Sequence, residues 1–204
     1  MNAHLLVLTG VLFLVPTPGD AENHFVAEVA GGMTTIPGID APVDAGSTLT
    51  GTLGIGGRFR GFKPAFYAVV RWGRSGLSAQ GPDHFGRPSA QAEYNHWGIG
   101  ARVYVPIVSR LRLLGQFTIG QNRVRVSVNQ DQSILMEDVA EHFAVFPLAG
   151  IQFRISDHLS FGVVGEWSLY PDSDPNQFLA ASIGTTATEE ASTFSSLATF
   201  TVHF

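Results

Sequence analysis

Eight ionisable residues stand out by their placement: Glu28, Glu166, Arg58, Arg60, Arg71, Arg102, Arg112 and Arg154. Each falls on the phase of a two-residue alternation that its apolar neighbours avoid. Charges held on one face of extended segments point to the same side of a sheet, and a carboxylate withdrawn from water calls for a cation beside it. The chemistry on offer is therefore ion pairing. Heights along the segments set Arg58 or Arg102 against Glu28, and Arg71 or Arg102 against Glu166. An arginine excess of this kind could alternatively give a narrow pore a preference for anions.

Two other constellations contain reactive residue types. His142, Glu166 and Ser168 offer a base, a carboxylate and a hydroxyl near one end of two neighbouring segments, but no spacing motif joins them. No residue is assigned a catalytic role, and the polar lining of a wet vestibule accounts for all three. The run Asp172-Ser173-Asp174-Pro175-Asn176 imitates the start of a calcium-binding loop. It has Gln177 where that loop needs glycine and Ile183 where it needs a bidentate glutamate. The acidic residues Asp40, Asp44, Asp131, Glu137, Asp138, Glu141, Asp174, Glu189 and Glu190 read as solvated loop charge, so neither a metal nor a cofactor is expected. A net charge of −5 gives no reason to expect a nucleic-acid partner, and the absence of cysteine excludes disulfides.

The elements that must position these residues are strands. The final eleven residues, Phe194 to Phe204, place Phe194, Ala198, Phe200, Val202 and Phe204 on one phase and small polar residues on the other. The same alternation predicts strands over 24–34, 48–60, 65–75, 94–105, 111–122, 142–154, 159–170 and 194–204. In 94–105, Trp97, Ile99, Ala101 and Val103 oppose His96, Arg102 and Tyr104, and in 159–170, Phe161, Val163, Trp167 and Leu169 oppose Glu166 and Ser168. Connections alternate between short ones, at 61–64, 106–110 and 155–158, and long ones, near 35–47, 76–93, 123–141 and 171–193. Pro147 falls inside the sixth strand, where a missing N–H predicts a bulge or a strand boundary.

No apolar run approaches the roughly 20 residues of a membrane helix, yet only 14% of the 204 residues are charged, against about 25% in soluble domains. A chain of this kind can cross a bilayer only as a closed barrel, because hydrocarbon leaves no open backbone group satisfied. Trp72, Trp97 and Trp167 sit on the outward phase near the long-loop ends of their strands, and Phe204 sits at the other end, so these four are expected at the membrane interfaces. Residues 1–21 read as a secretory leader, with an apolar core from Leu5 to Val15, cleavage after Ala21, and no Lys or Arg ahead of the core. Residues 22–204 then form one domain.

Alternation, turn order, glycine-rich strands and a closing strand that ends on Phe204 together resemble the eight-stranded outer-membrane barrels typified by the membrane domain of OmpA and by OmpX. The resemblance implies an all-β, antiparallel up-and-down transmembrane barrel, located in the bacterial outer membrane with both termini in the periplasm. It implies as partners the lipid bilayer, lipopolysaccharide, and the barrel-assembly machinery acting through the last strand, with the chain as a monomer. The expected role is structural or surface-interactive, and not enzymatic. A small channel for ions or hydrophobic solutes is the first alternative. A secreted lipocalin-like barrel, with its apolar phase turned inward, is the second.

Overall fold

The computed structural model describes residues 25–37, 43–58, 63–80, 89–130, 133–171, 179 and 192–204. The expected leader, Phe59, Arg60 and the acidic residues at 40, 131, 172, 174, 189 and 190 lie outside them. Among the described residues nine strands follow in chain order: β1 Phe25–Thr35, β2 Val43–Asp44, β3 Gly46–Arg58, β4 Ala65–Gln80, β5 Ser89–Pro106, β6 Leu111–Gln130, β7 Ser133–Arg154, β8 Leu159–Ser168 and β9 Thr193–His203. Every pairing is antiparallel. β9 pairs with β1, so the eight long strands form a closed up-and-down barrel, and the two-residue β2 adds a short patch on the far end of β4. Closure leaves no exposed edge through the middle of the barrel, where every N–H and C=O must find a partner on the next strand.

Inside and outside are distributed by the period-two pleat. Through the lower two thirds of the barrel the outward residues are apolar: Val29, Leu49, Ile55, Val70, Ile99, Phe117, Ile119, Ile151, Phe161, Val163 and Phe200 are all exposed. The inward residues there are largely polar and buried, among them Thr50, Thr52, Gln116, Thr118, Gln152, Thr199 and Thr201. This is the polarity of a barrel surrounded by hydrocarbon, opposite to that of a lipocalin.

Four strands are longer than the sequence predicts. β4 continues to Gln80, β5 begins at Ser89, β6 continues to Gln130 and β7 begins at Ser133. In β4, β5 and β6 the alternation persists through the extension, but its polarity reverses. Leu77, Ala90, Ala92, Tyr94, Val124, Val126 and Val128 point inward and are buried, together with Ile36 and Leu179, in one apolar cluster. Arg74, Glu93, Arg123 and Arg125 point outward, where Arg74 meets Glu93 at 2.6 Å. A rule that demands inward charges stops each strand at the reversal, so the expected long loops 76–93 and 123–141 are in large part strand.

Pro147 produces neither the bulge nor the boundary expected of it. It stays in register opposite Phe117, and the register of β7 on β8 is the same on both sides of it. Val145 and Leu169 exchange two backbone hydrogen bonds at 2.9 Å. The next such pair along is Pro147 with Trp167, where the missing N–H costs one bond of the ladder and leaves the strand path intact. The bulge of β7 lies instead at the tip of its hairpin with β6, beside Val128 and Asn129.

Candidate functional site

The inward faces of β1, β4, β5 and β8 bring Glu28, Arg71, Arg102 and Glu166 into the barrel interior, where none is more than 4% exposed. Arg102 grips Glu28 with both ends of its guanidinium, Nη2 to Oε1 at 2.7 Å and Nη1 to Oε2 at 2.9 Å. Its Nε donates to Gln116 Oε1 at 2.6 Å, and Nη1 also donates to Tyr104 Oη at 2.9 Å. The Thr201 hydroxyl donates to Glu28 Oε2 at 2.9 Å and accepts from Gln152 Nε2 at 2.7 Å. Planar, bidentate pairing of this sort is the strongest form an arginine and a carboxylate can make.

The second pair is less complete. Arg71 Nη2 meets Glu166 Oε2 at 2.6 Å through a single contact, and Arg71 Nη1 donates to Thr52 Oγ1 at 3.1 Å. His96 stands 4.0 Å from the other oxygen of Glu166 and packs its ring on Phe146. Gly73 lies directly opposite His96, and a Cβ there would overlap the imidazole, so this glycine makes room for the ring. Both ion pairs span the lumen between strands that are not neighbours, β5 to β1 and β4 to β8. They brace opposite walls.

Of the two partners open to each carboxylate, Arg102 takes Glu28 and Arg71 takes Glu166. Arg58 does not join: it stands exposed at the end of β3, at the rim, because Glu28 lies opposite Thr52, well up the strand. His142 and Ser168 are not brought together. His142 faces Asn122 across β6 and sets its ring against Tyr170, while Ser168 pairs with Thr193 of β9. Among the described residues no group of three His, Asp or Glu side chains converges as a metal site.

Members of the network that the sequence did not single out are Gln116, Tyr104, Gln152, Thr201 and Thr52. All sit on inward phases, so their direction was readable. Their pairing across the lumen depends on which walls face each other, which no local pattern encodes. Above the two ion pairs, the apolar cluster around Tyr94 and Val126 is buried in the long-loop end of the lumen.

On the outside, Trp72 and Trp97 are direct cross-strand partners, exposed by 42% and 53%, and Trp167 is exposed by 40% with its ring 4.9 Å from Phe194. Trp72 lies across Gly51, where a Cβ would overlap the indole. Phe204 exchanges backbone hydrogen bonds with Phe25, 2.9 Å one way and 3.3 Å the other, tying the chain end to the first strand. It also borders an outward apolar groove of about 900 Å³ over Ala27, Ala68 and Ala101.

No family model matches the sequence, and no curated protein matches it. Solved structures do. The outer-membrane protease OmpT from Escherichia coli superposes with a TM-score of 0.50 at 8% identity, over 92% of this chain and 99% of that one. Ail, the attachment invasion locus protein of Yersinia pestis, gives a TM-score of 0.49 at 11% identity, over 90% and 99%. At such identities the likeness is one of fold, and at that level the resemblance read from the residues holds: the chain is a closed, eight-stranded, antiparallel up-and-down β-barrel of the outer-membrane type.

Proposed function

We propose that the protein is an integral outer-membrane barrel with a structural or surface-interaction role, neither conducting nor catalytic. The observation that carries this reading is the combination of an exposed apolar belt with an interior closed twice over, by two lumen-spanning ion pairs and by an apolar plug. An eight-stranded barrel is just wide enough for side chains to fill, and here the described lumen carries both ion pairs and the apolar cluster. A pore would need a continuous wet path, and among the described residues the apolar cluster and the two ion pairs lie across the lumen where that path would run.

Orientation and partners follow from the same features. The three short turns and both described ends of the chain lie at one end, read as periplasmic. Trp72, Trp97 and Trp167 mark the outer interface, and Phe204 lies near the inner one. Arg74, Asn95 and Arg123 form one cross-strand row two residues beyond the Trp72–Trp97 pair, at the height where phosphorylated headgroups of lipopolysaccharide begin. The closing strand β9, ending on Phe204, is the element offered to the assembly machinery, and a barrel without an open edge is suited to remain a monomer.

The test is to refold the mature chain with and without detergent micelles, run it unheated and boiled on a denaturing gel, and then record planar-bilayer conductance. A compact, faster-migrating band that requires detergent, with no unitary current, is the expected result. Folding in plain buffer would make it a soluble ligand-binding barrel. Resolved current steps would make it a channel.

A further inference from the structure

Two arginines at the short-turn mouth of the barrel, Arg112 and Arg58, lack the carboxylate partner that five other described arginines have. Arg102 has Glu28, Arg71 has Glu166, Arg74 has Glu93, Arg125 has Glu137 and Arg154 has Asp157. Among the described residues no carboxylate lies within ion-pair distance of Arg112 or Arg58. Arg112 is only half exposed, on the inward face of β6 directly opposite Gln152, with Arg154 two residues further along the same face of β7. The charges of both Arg154 and Arg58 act on Arg112, and the groups that act in the opposite sense are the phenols of Tyr104 and Tyr67, not a carboxylate. Tyr67 and Tyr104 line the same tier, within electrostatic reach of Arg112.

A second observation comes from the far wall. His203, buried at the end of β9, lies within the field of both Arg112 and Arg154. Its Nε2 is paired with Ser160 Oγ at 3.1 Å, and its Nδ1 has no hydrogen-bond partner. Glu28 is the acidic group that acts on His203 and Asp157 pairs with Arg154, but among the described residues no carboxylate pairs with the half-buried Arg112, an unfavourable placement for a charge without a partner.

We infer that the short-turn mouth is an anion site, in which Arg112, with Arg58 and Arg154 beside it, receives a phosphate group from outside the chain. The planar guanidinium groups match phosphate oxygens in geometry as well as charge. Arg112 is the central ligand, Arg58 the accessible rim contact, and Arg154 is tied to the turn by Asp157 and contributes field. Two sources share this chemistry: the headgroup of an anionic phospholipid in the adjacent leaflet, and a soluble phosphate. The first source rests on the membrane reading above; the second does not.

The experiment is thermal unfolding of the full mature chain in nonionic micelles at constant ionic strength, with either pyrophosphate or micelle-incorporated phosphatidylglycerol as the probe. Arg112→Gln and the rim variant Arg58→Gln are run in parallel. The wild type is expected to gain several degrees, and Arg112→Gln to bind about tenfold or more weakly, the loss of one charge-assisted contact. Without the probe, Arg112→Gln should be at least as stable as the wild type, because like-charge repulsion is relieved. Stabilisation by pyrophosphate assigns a soluble anion, and stabilisation by phosphatidylglycerol alone assigns the lipid headgroup. No gain from either, an equal gain from chloride, or an equal gain in both variants overturns the site. Should Arg112→Gln fail to fold, Arg58→Gln at the exposed rim decides on its own. A heat-modifiable gel band recorded on the same samples keeps loss of this site distinct from loss of the membrane-barrel reading.

Discussion

Glu28 and Glu166 carry the same charge in different company. Glu28 accepts two hydrogen bonds from Arg102 and one from Thr201, whereas Glu166 has a single contact from Arg71 with His96 at 4.0 Å. Truncating one member of a buried pair strands the other, at a cost of about 3–5 kcal/mol. Glu28→Ala is expected at the upper end of that range and Glu166→Ala below it, measured by urea unfolding in micelles and read by tryptophan fluorescence. Replacing both members should be less harmful than replacing one. In a double-mutant cycle, Glu28→Gln with Arg102→Met is expected to be more stable than Arg102→Met alone, and a strictly additive result would mean that the pair is not coupled.

At the scale of the strand, the reversal of polarity within β6 is the informative feature. Ile119 and Ser127 share the outward phase of one strand, but Ile119 belongs to the apolar belt and Ser127 to the extension beyond Gln121, level with Trp97. Ile119→Arg should cost about 2–4 kcal/mol, the penalty for arginine deep on a lipid-facing surface, and Ser127→Arg should cost about 0–1 kcal/mol. Equal costs in a vesicle-refolding equilibrium would remove the boundary placed between them. On β3, Gly51 is the seat of the Trp72 ring. Gly51→Leu should displace the indole and shift its emission while Gly31→Leu, whose Cβ meets no atom closer than 3.7 Å, leaves it unchanged.

For the whole molecule, closure depends on the last strand. β9 pairs with β8 on one side and β1 on the other, so the barrel cannot shut until its C-terminal residues are in place. Phe204→Ser is expected to reduce the yield of heat-modifiable barrel in cells severalfold while sparing the stability of protein already folded in micelles. An equal loss in both assays would assign Phe204 to packing and not to assembly. Long-range pairing of this kind, joining residues at opposite ends of the chain, also predicts slow folding.

Alternation alone was enough to locate eight strands, their inner and outer faces and the order of short and long turns, because the pleat is a local property with a period of two. It placed Arg102, Arg71, Glu28 and Glu166 inward for the same reason. It misjudged where β4, β5, β6 and β7 end, because inward charge marks a strand only within the apolar belt, and beyond the tryptophans the faces of β4, β5 and β6 exchange character. It could not choose between Arg58 and Arg102 for Glu28. That choice rests on which walls of the closed barrel face each other and at what stagger, and these are set by the register of eight pairings together. The bidentate grip on Glu28, the apolar plug above it and the uncompensated Arg112 below it exist only once the last strand has met the first.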